Sequence, residues 1–471
     1  MPFLSSTPIL LNMNLVEQLC NTKAQLTEAD SGLSCNGAEL FARVQKRASE
    51  FKASGLQNGQ RVFIEHGNSI AFFTDLFAVW LNEACAVPID STNPEIEIQQ
   101  LINHCKASFR IKSGDATIEA TDFKNVSSHP HANLILYTSG TSGTPKGVVH
   151  NFETITQRLN ALKNSLPASD FTKTLCVLPT HFGHGLIGNS LFALFLGCEL
   201  VIAKAFSAMS LQNLAEVVDQ YQITFMSSVP SIWRLLESAE IPKLSTLKRI
   251  HCASANFSSD LLQKIKRWVS SAKIYNVYGT TETASWVSGY EITSVADAGL
   301  VGLGWGMSLS IDAQQNVWIE GEGIALEYWG QPELTAEKLQ SSKFNTGDQA
   351  SLNEQSLQLK GRSDDIINRG GFKIYPSEVE SVLLMNDKVF AACVFAAPHS
   401  LTENTVVAAV SLKPSQSMSA SELETWSRDH LPSYRIPSYW LMSESLPLTS
   451  RGKLDKKLIL ELYLKKQAAN E

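Results

Sequence analysis

Apolar residues along this chain fall into short runs that alternate with stretches of helical spacing. Arg61 to Glu65 (RVFIE) predicts a strand, Ile70 to Asn82 carries apolar residues at helical spacing, and Ala84 to Ile89 predicts the next strand. The alternation recurs further on. Strands are expected at Leu175–Pro179 and Leu200–Ala203, a helix over Leu211–Gln220, and strands again at Ile223–Ser227 and Lys273–Tyr278. Alternation of this kind favours an α/β fold with largely parallel sheets.

After about residue 300 the texture changes. Asp312–Trp318 and Leu352–Leu359 are short alternating segments between polar turns, which points to antiparallel β structure. The charged, glycine-rich GRSDDIINRGG, Gly361 to Gly371, then reads as a domain boundary, dividing the chain into residues 1–361 and 362–471. In the tail, Ser377 and Glu380 fit a capping box, with Ser377 as N-cap, and Val379, Val382 and Leu383 form the apolar stripe of the helix it would open. Val389–Ala397 and Thr405–Leu412 predict strands. Ser419 and Glu422 form a second capping box, ahead of a helix through Leu423 and Trp426. There is no internal repeat and no low-complexity tract.

Composition narrows the class. A chain of 471 residues, 44% apolar and 18% charged, is an ordinary globular sequence with room for two or three domains. The net charge of −7 argues against a general nucleic-acid binder. The eight cysteines, at 20, 35, 85, 105, 176, 198, 252 and 393, contain no CxxC pair, so buried reduced thiols are expected rather than a zinc or redox site. No Lys or Arg precedes Lys23, so the charged start of a signal peptide is missing, and no apolar run approaches the length of a bilayer span. A cytoplasmic protein is expected.

Thr138 to Gly147, TSGTSGTPKG, packs three Gly, five Ser/Thr, one Pro and one Lys into ten residues between the apolar runs Leu134–Leu136 and Val148–Val149. Glycines let a phosphate approach the backbone N–H groups, Ser and Thr add hydroxyl donors, and Lys146 adds positive charge. It is not a Walker A loop, because Lys146 lies between Pro145 and Gly147 instead of before Ser or Thr. The plain alternative is a flexible Ser/Gly linker, although a linker needs no lysine at a fixed place.

The same wording resembles the phosphate-binding signature of the adenylate-forming superfamily, which comprises acyl- and aryl-CoA synthetases, peptide-synthetase adenylation domains and luciferases. Further segments agree in order. YGTTE (Tyr278–Glu282) resembles the adenine and magnesium motif, and TGD (Thr346–Asp348) the ribose motif. GRSDDIINRGGFKIYPSEVE (Gly361–Glu380) resembles the hinge with its glycine turn, and LPLTSRGKLDKK (Leu446–Lys457) the catalytic-lysine motif. Together they cover the chain from about residue 40 to its end.

The resemblance implies a large N-terminal domain of stacked α/β subdomains with a β-rich subdomain, and a small mobile α+β C-terminal domain. It also implies a two-step reaction. A carboxylate attacks the α-phosphate of ATP, giving an acyl-adenylate and pyrophosphate, and a thiol of CoA or of a carrier-protein phosphopantetheine then displaces AMP. Carried over by position, Thr138, Ser139, Gly140, Thr141, Ser142, Gly143 and Lys146 would cradle the β- and γ-phosphates. Ala253, Ser254, Ala255, Asn276, Tyr278, Gly279 and Thr280 would border the nucleotide, with Tyr278 stacked on adenine. Thr281 would reach the α-phosphate and Glu282 would hold Mg²⁺. Asp348 and Arg362 would bind ribose, and Asp364 would be the hinge. Lys453 would bridge the substrate carboxylate and the α-phosphate. Gly370, Gly371, Phe372 and Lys373 would line the thiol tunnel, or simply form a tight turn between strands. His181, Phe182, Gly183 and His184 would border the acyl pocket, where the two histidines could equally be packed scaffold.

Two departures from the pattern bear on the acid. Cys252-Ala253-Ser254-Ala255-Asn256 stands where the family usually reads Ser-Gly-Gly-Ala-Pro, and its added side-chain atoms imply a narrowed or reshaped acyl pocket. Gly183 follows Phe182 where amino-acid-activating members carry Asp, so an α-ammonium group would lack its counter-charge and an amino acid is disfavoured. The leading expectation is an AMP-forming carboxylic acid:CoA ligase using ATP, Mg²⁺ and CoA. The alternative is a stand-alone enzyme that loads an acid onto a separate acyl carrier protein. A third reading, a silent nucleotide-binding relative, is opposed by the presence of Lys453, Glu282 and Asp348 together.

Overall fold

The computed structural model describes residues 15–468 apart from 115, 125–128, 139–144, 205–212, 237, 238, 245, 254–258, 270, 298, 341, 354, 355, 400–402 and 450–452. Two large mixed sheets form the body of the N-terminal part. The first has seven strands, in the order Glu327–Tyr328, Lys146–His150, Leu134–Thr138, Cys85–Pro88, Arg61–Ile64, Phe109–Ile111 and Glu119–Ala120, parallel through its middle. The second has eight, in the order Trp286–Glu291, Lys273–Gly279, Arg249–Ala253, Phe225–Ser228, Lys173–Cys176, Glu199–Ile202, Gln25–Glu28 and Ser34–Asn36, with antiparallel strands only at its two edges.

The helix Ile70–Leu81 shows why the two sheets stack. Ser69 caps it by accepting from the Phe72 N–H, and nine of its twelve residues are buried. A helix that is apolar all round needs partners on every side. It finds them in one cluster that joins Val62, Ile64 and Leu134 of the first sheet to Leu26, Leu200 and Phe225 of the second. A third, antiparallel sheet (Ser308–Ile311, Asn316–Glu320, Lys343–Asn353, Leu339–Gln340 and Ser356–Arg362) follows in the chain. A fourth sheet, built from Ile367–Arg369, Phe372–Ile374, Val389–His399, Glu403–Leu412 and Tyr439–Ser443, forms the small C-terminal domain with helices Pro376–Leu383, Ala420–Arg428 and Lys456–Ala468. The fold is thus mixed α/β, with a large N-terminal and a small C-terminal domain.

Several elements differ in place from the expectation, each for a local reason. The strand expected at Leu175–Pro179 is Lys173–Cys176, because the Asn68 side chain holds the Leu178 carbonyl and the Thr180 N–H, both at 3.0 Å, and draws that stretch off the sheet. The strand expected from Ile223 begins at Phe225, since the Ile223 N–H still closes the preceding helix on the Val218 carbonyl. Asp312 folds a turn by accepting from the N–H groups of Gln314 and Asn316, so its strand is Asn316–Glu320. Leu352–Leu359 spans a hairpin instead of one strand, and Leu352 faces Leu357 across it.

The capping box at Ser377 does not form. Pro376 takes the first helical position, which makes Tyr375 the N-cap. Ser377 Oγ donates to the Lys360 carbonyl instead, and Glu380 accepts from the Val394 N–H at 2.8 Å. The box at Ser419 and Glu422 forms as expected. All eight cysteines are free thiols, seven of them buried. Among the described residues no helix is long and apolar enough to cross a membrane.

Candidate active site

The site is assembled where the C-terminal ends of strands from both large sheets meet the hairpin of the third. Thr138 and Lys146 end two antiparallel strands in register with one another, so the glycine-rich loop is the tip of a hairpin with buried legs. Ser139, Gly140, Thr141, Ser142 and Gly143 lie outside the described residues, as do Ser254 and Ala255; Ala253 ends the buried strand Arg249–Ala253.

Tyr278 and Gly279 close the strand Lys273–Gly279. The Tyr278 ring is 8% exposed within a cluster of apolar side chains, and its hydroxyl donates to Asp348 at 2.5 Å. Gly279 is needed by close approach, since a Cβ there would lie 2.2 Å from the Ser285 carbonyl oxygen. The chain then turns through Thr280, which caps the single helical turn Thr281–Thr283. Two side chains that sequence reasoning did not single out fix this turn. His150 donates from Nε2 to the Thr281 carbonyl at 2.8 Å, and burial pushes its imidazole down to about 4. The Tyr328 hydroxyl donates to Glu282 Oε1 at 2.7 Å. Asn276 is 2% exposed and its amide donates to the Leu300 carbonyl, so its side chain braces the neighbouring loop.

Asp348 and Arg362 face each other across the hairpin Lys343–Asn353/Ser356–Arg362. Their charged atoms are 3.6 Å apart, and Arg362 forks onto Asp364 at 2.8 and 3.2 Å. Burial raises the Asp348 carboxyl, with the Tyr278 hydrogen bond opposing it. Burial also acts to raise Asp364, but the Arg362 hydrogen bonds and charge outweigh it, Lys146 adding to them, and the group stays below the usual carboxylate range. The putting together of Tyr278, Asp348, Arg362, Asp364 and Lys146 therefore links the glycine-rich hairpin, the third sheet and the start of the C-terminal domain.

The segment after the strand Lys173–Cys176 supplies the other wall. His184–Leu191 is a run of π-helix, a conformation that recurs at functional sites. It packs closely on the turn after Glu282: a Cβ on Gly183 would lie 3.1 Å from the Ala284 carbonyl oxygen, and one on Gly188 2.0 Å from Ser285 Oγ. His184 Nε2 meets Ser227 Oγ at 2.5 Å. Burial, with the charge of Lys453 added, holds His184 at about 3. Lys453 of the small domain is thus brought to the wall of the N-terminal domain. Its carbonyl accepts from the Thr449 N–H at 2.7 Å. The following helix is tied to Asp365 by Lys456 at 2.7 Å. His181 lies against Phe182 and 3.7 Å from Asp90.

Gly370 and Gly371 have φ of +55° and +85° and join Arg369 to Phe372 in a two-residue hairpin, the conformation that favours glycine at both central positions. Phe372 is exposed and stacks on Tyr434, and among the described residues no hydrogen bond or ion pair ties 370–373 to the N-terminal domain. The charge of Lys453 is thus felt at His184, and among the described residues the glycine hairpin has its aromatic contact with Tyr434 of its own domain.

Residues 17–329 match the AMP-binding enzyme family and residues 378–453 the AMP-binding enzyme C-terminal domain. The chain belongs to this family, the adenylate-forming acid–thiol ligases. It is 25% identical to the mitochondrial malonate–CoA ligase ACSF3 of Bos taurus, over 89% of this chain and 84% of that protein. It is 24% identical to gramicidin S synthase 2 of Brevibacillus brevis over 94% of this chain, which spans only 11% of that synthase. The solved ATP-bound RpMatB-BxBclM chimera B1 shares the fold, with a TM-score of 0.83 and 23% identity over 97% of this chain and 99% of that one.

Proposed function

We propose that this ligase activates a small carboxylic acid with ATP and passes the acyl group to the thiol of CoA, with residues 1–361 and 362–471 moving as two bodies about Asp364. The observation that carries the reading is the approach of Lys453 to His184, beside the turn that bears Thr281 and Glu282. Carboxylate and triphosphate are both anionic, so bringing them together needs positive charge and orientation more than a strong base. Lys453 supplies charge where the acid carboxylate would meet the α-phosphate, with the Thr281 hydroxyl beside it. Lys146 supports the departing pyrophosphate. Asp348, held by Tyr278 and paired with Arg362, accepts from the ribose hydroxyls.

Glu282 fits a Mg²⁺ ligand. A single carboxylate, fixed through one oxygen by Tyr328, suits a cation that takes its remaining ligands from phosphate and water. Bound there, Mg²⁺ would offset the charge of the triphosphate. An amino acid is disfavoured on packing as well as charge, because any side chain at position 183 would press on the Ala284 carbonyl. A cytoplasmic setting accords with eight unpaired thiols.

A thiol from a separate acyl carrier protein is the second reading of the acceptor, favoured by the likeness to a peptide synthetase. The deciding experiment forms the acyl-adenylate on the enzyme and adds either CoA or a holo carrier protein. Faster AMP release with CoA supports the first reading. Release only with the carrier replaces it by the second.

A further inference from the structure

We propose that Gln331 is a positioning residue for the β- and γ-phosphates of ATP. Its side chain fixes the end of the glycine-rich hairpin that carries Lys146, and the segment Ala325–Gln331 holds that hairpin at a set distance from Glu282. The inference rests on the adenylation reading above and deepens it.

The segment bonds to both parts. The Ala325 N–H donates to the Glu282 carbonyl at 2.7 Å, and the Leu326 N–H donates to the Val149 carbonyl at 2.9 Å. Glu327–Tyr328 then pairs with Val148–Val149 as the edge strand of the first sheet. The Tyr328 hydroxyl returns to Glu282 Oε1 at 2.7 Å, and the Trp329 N–H donates to the Gly147 carbonyl at 2.7 Å. The Gln331 amide ends the series by donating to the Pro145 carbonyl at 3.1 Å. One stretch of chain therefore holds the turn of Glu282 and the strand of Lys146 together.

The segment is itself anchored. Trp329 Nε1 donates to the His104 carbonyl at 3.2 Å, and the buried Arg61 guanidinium lies 5.1 Å from the centre of its ring. A Cβ on Gly147 would stand 3.2 Å from the Trp329 Cβ, so the two strands lie close. Beyond it, the Tyr328 N–H donates to Thr335 Oγ1 at 2.9 Å, and the Gln331 carbonyl accepts from the Thr335 hydroxyl and N–H at 2.8 and 3.0 Å.

The Gln331 side chain serves the hairpin and not its own helix. Gln331 is the N-cap of Pro332–Lys338, a place where a side chain commonly accepts from the first turn. It makes no such bond and reaches across 186 positions to Pro145 instead. Thr138 and Lys146 are the last pair of the hairpin ladder, so Pro145 stands just past the point where strand pairing ends. A proline has no N–H to offer, which leaves its carbonyl as the group a brace can grip. Gripping it fixes the peptide that leads into Lys146. A lysine ammonium is a point charge on a flexible stem, so its aim depends on how firmly its backbone is held. Glu282 and Lys146 act on one triphosphate, and the spacing between them is part of its orientation.

The test uses the fact that AMP lacks the β- and γ-phosphates. Calorimetry measures binding of ATP and of AMP, each with Mg²⁺, to the full chain and to Gln331→Met and Gln331→Glu. Met keeps the length and loses the donor, and Glu keeps the shape but sets a negative charge beside the Pro145 carbonyl. Gln331 is half-buried and its backbone carries the helix bonds, so both variants should fold. The expected result for Gln331→Met is a rise in the ATP dissociation constant of about 3- to 10-fold, the scale of one neutral hydrogen bond. Gln331→Glu should show a larger rise, and AMP affinity should stay at the wild-type value in both. Equal losses for ATP and AMP, or unfolding of both variants, would assign Gln331 to stability alone. Unchanged ATP affinity in both would show that the hairpin stands without it. Each of these results would overturn the inference and leave adenylation standing, provided the unaltered chain releases pyrophosphate with an acid. No release with any acid would overturn the adenylation reading and this inference with it.

Discussion

His150 makes the turn that carries Thr281 and Glu282 sensitive to acid. Its ring is fully buried, its Nε2 donates to the Thr281 carbonyl at 2.8 Å, and burial lowers it to about 4. In the unfolded chain the same imidazole titrates near about 6.5. Between these values the unfolded state binds the extra proton, so the contribution to stability is complete above the unfolded pKa and is lost as pH falls toward the folded one. With a folded value of about 4, the full loss is about 3 kcal/mol, of which about 2 kcal/mol has gone by a pH of about 5. His184 and His251 are lowered too and add to the acid lability of the whole protein. The contribution of His150 is isolated by comparison with His150→Gln, which keeps an N–H donor and does not titrate. Urea unfolding of both proteins at neutral pH and at a pH of about 5 gives a stability difference at each, and wild type should lose about 2 kcal/mol relative to the variant on acidification. A difference that stays constant within about 0.5 kcal/mol would refute the view that His150 is held neutral by burial.

Tyr328→Phe removes a hydroxyl that steadies Glu282 and should cost about 1.5–3 kcal/mol of transition-state binding, read as a roughly 10- to 150-fold fall in kcat/KM for ATP with the melting temperature little changed. An unchanged kcat/KM would show that Glu282 needs no support. Gly279→Ala should destabilise by about 3 kcal/mol or more, because the new methyl group would meet the Ser285 carbonyl at 2.2 Å; calorimetry that shows no loss would place the turn differently.

The parts of this protein that were readable in the sequence are those whose signal is contiguous. The helix Ile70–Leu81 and the strand Arg61–Ile64 follow from runs of apolar residues, and the antiparallel third sheet from short alternating segments. Tyr278 to Glu282 and Thr346 to Asp348 were recognisable because each motif is a few consecutive residues. Where two local signals compete the reading fails, as at Ser377, whose capping pattern is overruled by the proline before it. Contacts made across the fold leave no local trace. Tyr328 reaches Glu282 over 46 positions and His150 reaches Thr281 over 131. The strand Arg249–Ala253 was not anticipated because Arg249 and His251 interrupt its apolar run, although all five of its residues are buried. The π-helical wall is equally silent, since its register depends on the close packing of Gly185 and Gly188 and not on a periodic apolar stripe.

The central claim is that Lys453 acts on the joining of acid and ATP. Its most direct test is Lys453→Ala, assayed in parallel for acid-dependent pyrophosphate release and for ATP binding by calorimetry. The account predicts a loss of release of about 10²–10³-fold, the scale of removing one aimed electrostatic group, with ATP affinity within a few-fold of wild type. Pyrophosphate release that persists in the variant, or an equal loss of ATP binding, would contradict it.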